Sequence, residues 1–269
     1  MEKFKFVFII LAFRTGNDIP SFLQSLSEKL KEPYKVIVVN SFYSDESLNE
    51  IRNVARVCNC DFIPIENKGY GYGNNRGIDF ALAHYKFDFL VVCNADIELK
   101  SFKYGDLHVD KLNAPMITTI TGKKQNPYFA IRNPLSAWLI YHGHKKKSKV
   151  LLLAGRGINK IIRETFLFIF NHSDKREAMI YAAHGSFLIF PCGLLKVLQP
   201  VFDENMFLFC EEDCLANKLY KMESGIVLHK DIAILHYEDG STKGSNIDTS
   251  SFGSKSYIYF YEQYIKKMS

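Results

Sequence analysis

The 269 residues are 47% hydrophobic and 23% charged, with a formal net charge of +5. That length holds one large α/β domain or two small ones, and the composition excludes global disorder. The modest charge gives no argument for nucleic acid, and no uninterrupted apolar run of about 18 residues predicts a spanning helix.

The run from Phe4 to Phe13 lacks a small-residue cleavage site and reads as a first core strand, Val7–Ala12, rather than a signal peptide. A loop with Asn17 or Asp18 as cap leads to a helix around Pro20–Leu30, where Phe22, Leu23, Leu26 and Leu30 recur at helical spacing. A second strand, Tyr34–Val39, ends in the polar turn Asn40–Ser44. Asp45 opens and caps a helix with Leu48, Ile51, Val54 and Ala55 on its core side. Strand Asp61–Ile65 precedes a glycine-rich loop, Asn67–Gly77, and a helix Ile78–Tyr85.

Phe87–Cys93 is then a continuous apolar run that stops abruptly at Asn94 and Asp96. Such a run reads as a strand buried on both faces of a parallel sheet. A parallel strand delivers its polar end to the crevice where open α/β sheets bind ligands, so Asp96 is placed to take a divalent cation beside a phosphate. The β-α-β-α-β-α-β order predicts the fold class: α/β, a Rossmann-like, mostly parallel, doubly wound sheet flanked by helices.

After Glu98 the rhythm breaks. Residues 100–121 read as irregular with short strands near Met116–Ile120, and Lys123–Pro134 as a polar loop. Tyr141–Lys149 is a basic cluster, followed by a helix Leu151–Phe170 whose apolar face is Ile158, Ile161, Ile162, Thr165, Phe166, Ile169 and Phe170. Arg156, Lys160 and Arg163 lie on its other side. This insertion, residues 135–170, has two readings: contact with an anionic membrane surface, or a helix covering its own sheet beside solvated lysines.

His184-Gly185-Ser186 forms a polar elbow before the strand Phe187–Phe190, and a short helix follows at Gly193–Leu198. Three adjacent acids, Glu211, Glu212 and Asp213, open a helix running through Tyr220. Their mutual repulsion predicts that at least one carboxyl is raised. Strands Ile226–His229 and Ile232–Leu235 lead to His236-Tyr237-Glu238-Asp239-Gly240-Ser241. The tail Lys255–Lys267 reads as a helix with Tyr257, Phe260, Tyr261 and Tyr264 on one side. The six cysteines show no metal-knuckle spacing and read as reduced thiols of a cytoplasmic protein.

Taken in order, Asn40…Asp45, Asn67–Gly77, Asn94-Ala95-Asp96 and Glu211-Glu212-Asp213 resemble the family 2 glycosyltransferases of GT-A fold, in particular the bacterial rhamnosyltransferase-like branch. The resemblance runs from about Val7 to about Ser241. It implies an inverting, metal-dependent transfer from a nucleotide-sugar donor (UDP- or dTDP-sugar). The acceptor is a saccharide, free or linked to polyprenyl diphosphate, in surface polysaccharide or capsule biosynthesis. The nucleotide pocket is implied at Ala12 and Arg14, at Asn40 where the family commonly carries Asp, and at Asn67, Gly73, Asn74 and Arg76. Asn94 is implied as a ribose contact or a support to the metal. Asp96 and His236 are the implied ligands of Mn2+ or Mg2+, oxygen and imidazole donors that suit either ion. Glu212 is the implied base, with Glu211 or Asp213 in its place if the register differs by one, and His184 and Gly185 line the sugar. Residues 1–99 would form the nucleotide-sugar half, 100–245 the acceptor half and 246–269 a helical tail. The enzyme is expected in the cytoplasm, with peripheral contact on the inner face of the cell membrane if the insertion binds lipid. Two competing readings are a catalytically weak GT-A domain that binds glycan or scaffolds a complex, and a sugar-phosphate nucleotidyltransferase. Donor hydrolysis separates the first and pyrophosphate release the second.

Overall fold

The computed structural model describes residues 2–238 and 249–268. The first half follows the expected alternation: β1 (Lys3–Phe13), α1 (Ile19–Lys29), β2 (Tyr34–Ser41), α2 (Asp45–Val57), β3 (Asp61–Ile65), α3 (Tyr70–His84) and β4 (Lys86–Cys93). These strands lie in the order β3-β2-β1-β4, all parallel. Strand β1 shows why. Its residues alternate between two faces, as the two-residue period of a strand requires. Phe6, Phe8 and Ile10 join one apolar layer with Phe22, Leu26 and Ile51, while Val7 and Ile9 join the other with Ile78 and Ala81. Each such fully buried side chain contributes about 1.5–3 kcal/mol.

Two local expectations are corrected here. The cap of α2 is Ser44, whose hydroxyl accepts from Ser47 N at 3.2 Å, so Asp45 is the first helical residue and not the cap. The glycine-rich stretch is no loop: α3 begins at Tyr70 and contains Gly71, Gly73 and Gly77. Gly73 and Gly77 let the helix lie close on the sheet, and Gly71 lets it lie close on the 202–203 segment. A Cβ at Gly77 would stand 2.7 Å from Ile9 Cγ2 and 2.9 Å from Val39 Cγ2, and one at Gly73 would run into Leu11.

The second half completes a nine-stranded sheet among the described residues: β5 (Ile97–Phe102), β6 (Leu112–Thr119), β7 (Glu177–Ile180), β8 (Phe187–Pro191) and β9 (Ile226–His236). Here the sheet is mixed. β8 runs antiparallel to β4, and β9 is parallel to β6 but antiparallel to β5 and β7. The region 100–121, read as irregular with short strands near Met116–Ile120, holds the end of β5 and the whole of β6, which overlaps the expected strand. The two late strands are one, β9, interrupted only by a register shift opposite Pro115 and Met116.

The insertion is a hairpin of α4 (Pro134–Lys145) and α5 (Lys149–Asn171), capped by Asn133 and Ser148. Helix α6 (Cys192–Leu198) follows β8, and α7 (Glu211–Lys221) precedes β9. The tail begins earlier than expected, as α8 (Thr249–Phe260), and continues as a π-helical turn Tyr261–Ile265. Tyr257 and Phe260 are buried, and Tyr264 donates to Asp203 Oδ2 at 2.6 Å. Asp239, Gly240, Ser241 and the domain boundary at 245/246 lie outside the described residues. All six cysteines are free, and among the described residues no helix is long and apolar enough to cross a membrane.

Candidate active site

Parallel strands β1 and β4 are neighbours: the chain runs outward from β1 through β2 and β3 and returns to β4 on the other side of β1, so the strand order reverses between them and the sheet opens at their carboxyl ends. Four chain segments meet there. Cys93 pairs with Phe187, which lets Asn94 N donate to Ser186 O at 3.0 Å and sets the polar end of β4 beside the 184–186 elbow. His236 pairs with Ile97 at the end of β9, and Tyr237 N donates to Asp96 O at 3.0 Å. From the other side the elbow meets α7, where Gly185 N donates to Glu212 Oε1 at 3.0 Å. Asn94, Asp96, His184, Gly185, Glu212 and His236 therefore belong to one connected network.

Within it, Asp96 and His236 face each other, with Oδ1 and Nε2 3.4 Å apart and both side chains nearly buried. Burial alone would raise the Asp96 carboxyl, but the His236 imidazole and nearby donors hold it below its ordinary value. Its second oxygen, Oδ2, is buried without a partner. The imidazole tautomer follows from its neighbours. Gln125 Nε2 donates to the Glu238 carboxylate at 2.9 Å, which turns Gln125 Oε1 toward His236 Nδ1 at 2.8 Å. The amide oxygen of Gln125 only accepts, so Nδ1 carries a proton, and Nε2 is the nitrogen that faces Asp96 and, at 3.4 Å, Asn94 Nδ2. An orphaned carboxylate oxygen beside imidazole Nε2 is a donor set that fits a divalent cation. Among the described residues no three His, Cys, Asp or Glu side chains are grouped to hold one. The protein offers two ligands, which leaves room for phosphate oxygens.

The three acids of α7 occupy different surroundings. Glu211 and Asp213 are each 3% exposed, whereas Glu212 is half-buried. Burial and the charge of Glu212 push the Asp213 carboxyl up to about 8, and burial followed by Glu212 also raises Glu211. Burial raises Glu212 too, against the backbone amides that stabilise its anion. A helix start is worth at most about 2 kcal/mol to an anion, and burial outweighs it here. Asp213 faces a separate small cavity with Arg132, Tyr181, Tyr257 and Phe260. The backbone before the acids is strained: Phe209 and Cys210 both take left-handed φ, 73° and 70°.

His184 stacks edge-on against His236 at 5.7 Å and shares a hydrogen bond with Ser186 Oγ at 3.0 Å. Burial first, then His236 and Lys123, lower it to about 4, so it is neutral near pH 7. The remaining expected nucleotide residues are more dispersed. Ala12 and Asn40 pair across β1 and β2, and both polar atoms of the fully buried Asn40 amide are without partners. Arg14 takes φ 72° and lies over the exposed Tyr43 ring at 5.2 Å. Asn67 is exposed in the β3–α3 connection. Asn74 is buried, with Nδ2 donating to Tyr70 O and Oδ1 without a partner. Gly73 packs on Leu11, and Arg76 is engaged with Glu204 at 2.8 Å and Asp79 at 3.3 Å.

Four residues in the network were not among the expected site residues, although Tyr70 lies in the glycine-rich stretch 67–77. Gln125 orients His236, and Asn126 Oδ1 accepts His184 N at 2.7 Å. Tyr128 stands edge-on to His184 at 6.3 Å, and Tyr70 donates to Gly185 O at 3.1 Å.

No protein-family profile and no curated protein sequence matches the chain. Solved structures match it in fold. GalNAc-T7 with UDP, GalNAc and Mn2+ superposes with a TM-score of 0.62 at 13% identity, over 96% of this chain and 48% of that one. Residues 1–349 of S. aureus TarS with UDP-GlcNAc give 0.55 at 14%, over 92% and 63%. The mannosyltransferase PcManGT from Pyrobaculum calidifontis with GDP-Man and Mn2+ gives 0.50 at 13%, over 89% and 59%. The chain thus spans roughly half to under two thirds of the length of these structures. The fold they share with it is GT-A.

Proposed function

We propose that this chain is a metal-dependent, inverting glycosyltransferase that moves a sugar from a nucleotide-sugar donor to a saccharide acceptor. The observation that carries the reading is the Asp96–His236 pair joined through the 184–186 elbow to the half-buried Glu212. The solved GT-A structures in complex with UDP-GlcNAc, or with GDP-Man and Mn2+, support the donor class and the ion.

In this reading Asp96 and His236 hold Mn2+ or Mg2+. Bound there, the cation would offset charge on the leaving diphosphate. Asn40 meets the base with the two polar atoms it leaves unpartnered, offering a donor and an acceptor to a UDP or dTDP pyrimidine edge. Ala12 and Arg14 border that pocket. Asn67, Gly73, Asn74 and Arg76 belong to the donor side, and Asn94 supports His236 or the ribose. Neutral His184 and the Gly185 backbone line the sugar. Glu212 takes the proton of the acceptor hydroxyl as it attacks the anomeric carbon from the face opposite the leaving nucleotide. A base with a raised carboxyl is better matched to that task near neutral pH than an ordinary glutamate. Glu211 and Asp213, buried and raised, keep the surroundings of Glu212 less negative.

Residues 1–99 then form the donor half, 100–245 the acceptor half and 246–269 the tail. The acceptor is a saccharide, free or carried on polyprenyl diphosphate. The pathway is surface polysaccharide synthesis of the rhamnosyltransferase-like kind, at the cytoplasmic face of the cell membrane. Calorimetric titration with UDP, dTDP and GDP, with and without Mn2+, tests the reading. One nucleoside diphosphate should bind only with the ion and lose binding in Asp96→Asn. Ion-independent binding, or none to any of the three, would contradict it.

A further inference from the structure

The hairpin of α4 and α5 takes no part in the site described, yet it holds more than the whole net charge of the molecule. Residues 134–171 contain seven Lys and Arg (Lys145, Lys146, Lys147, Lys149, Arg156, Lys160, Arg163) against one acid, Glu164. That is +6 in a chain of +5, so the rest of the protein is −1. Lys145 pairs with Glu262 and Arg163 with Glu164. Lys146, Lys147, Lys149, Arg156 and Lys160 make no ion pair among the described residues, and all five are exposed.

The same hairpin is where large apolar side chains face outward. Ile158, Ile162, Phe166 and Phe170 turn toward the protein, as half-buried or buried positions. The sequence placed Ile161, Thr165 and Ile169 on that same face, and the structure turns them out instead. Val150, Leu153, Ile161 and Phe168 are 66–75% exposed, and Gly157 has nothing within 4 Å of where its Cβ would be. Val150, Ala154, Gly157, Ile161, Glu164 and Phe168 are spaced four and three apart, so they form one stripe along a helix about 35 Å long. Trp138 and Leu135 add exposed apolar surface on α4.

A helix with one face packed on its own protein, an opposite stripe that is apolar apart from Glu164 (held by Arg163), and cations without an ion pair among the described residues on the flank and in the preceding turn matches an anionic lipid surface on both counts. We propose that the outward face of the α4–α5 hairpin docks on the headgroup region of an anionic bilayer. Val150, Leu153, Ile161 and Phe168 enter the interface, and Lys146, Lys147, Lys149, Arg156 and Lys160 meet phosphates. The helix lies on the membrane and does not cross it. A role in presenting a lipid-linked acceptor rests on the reaction proposed above, but docking itself does not, so it is measured without donor or acceptor.

The test is flotation of the full chain with vesicles of phosphatidylcholine alone and of equal parts phosphatidylcholine and phosphatidylglycerol. Sedimentation velocity without lipid runs alongside. Binding to the mixed vesicles only is expected, weakened at about 0.5 M salt. Two triple variants, Lys146→Gln/Lys147→Gln/Lys149→Gln and Leu153→Gln/Ile161→Gln/Phe168→Gln, should each lower partitioning by about tenfold or more. Their melting temperatures report that they remain folded, since every changed side chain is exposed. The proposal is overturned by absent binding, by equal binding to both vesicles, or by binding that neither variant weakens. A lipid-free dimer that the apolar variant dissolves, with no vesicle binding, would assign the stripe to a second copy of the chain.

Discussion

Gly185 donates its backbone N–H to Glu212 at 3.0 Å, and the space between them admits no side chain: a Cβ at Gly185 would stand 2.7 Å from the same Glu212 oxygen. The elbow thus fixes both the direction and the depth of the proposed base. Gly185→Ala should push Glu212 aside while leaving the metal pair in place. Steady-state kinetics should show kcat reduced about 10–100-fold with little change in donor KM. An unchanged kcat would mean that the carboxyl need not sit where the elbow holds it.

Gln125 sets which nitrogen of His236 faces Asp96, because its amide is itself turned by Glu238. Gln125→Leu removes that orientation without touching either ligand. Mn2+ affinity, read by electron paramagnetic resonance of the free ion, should weaken about 10–100-fold. Wild-type affinity in the variant would show that Gln125 is only a packing residue.

Asp213 should leave a signature in stability. Its carboxyl, ordinarily near 3.8, is pushed up to about 8 by burial and by Glu212. The native state therefore holds a proton that the unfolded chain releases, and stability falls as pH rises between those values. The slope is at most about 1.4 kcal/mol per pH unit for one such site. Asp213→Asn keeps the shape and removes the titration. Thermal melts should find the variant more stable than wild type near pH 8, with the gap closing toward about pH 4.

Much of this architecture was legible in the sequence because the first half obeys simple periods. The apolar runs of β1, β2 and β4 have no reading other than buried strands, and the Asn94–Asp96 stop marks a strand end. The glycine-rich stretch misled because glycine signals both loops and close helix–sheet contact. Only the proximity of Ile9 and Val39 to Gly77 decides between them. Strands β5 and β7 were missed because they pair with β9, more than a hundred residues later for β5, and short mixed-composition segments carry no period of their own. Gln125 and Asn126 were invisible for the same reason. Their function is to hold backbone and imidazole from a loop, and no spacing announces that. The outward stripe of α5 shares its 3.6-residue period with the inward one, so hydropathy alone could not say which face the protein covers.

Gly77→Ala places a methyl against Ile9 and Val39, two buried β-branched side chains with little freedom to yield. Urea unfolding should show a loss of about 1–3 kcal/mol. No loss would mean that α3 can lift from the sheet at little cost.

The measurement closest to the central claim is a paired one on Glu212→Gln: donor binding by calorimetry with Mn2+, and transfer by single-turnover product release. A base reachable from the acceptor side but outside the cation's ligands predicts unchanged donor affinity, with transfer slowed about 10²–10⁴-fold. Transfer at the wild-type rate, or loss of donor binding together with transfer, would contradict a site in which Asp96 and His236 hold the donor and Glu212 takes the proton.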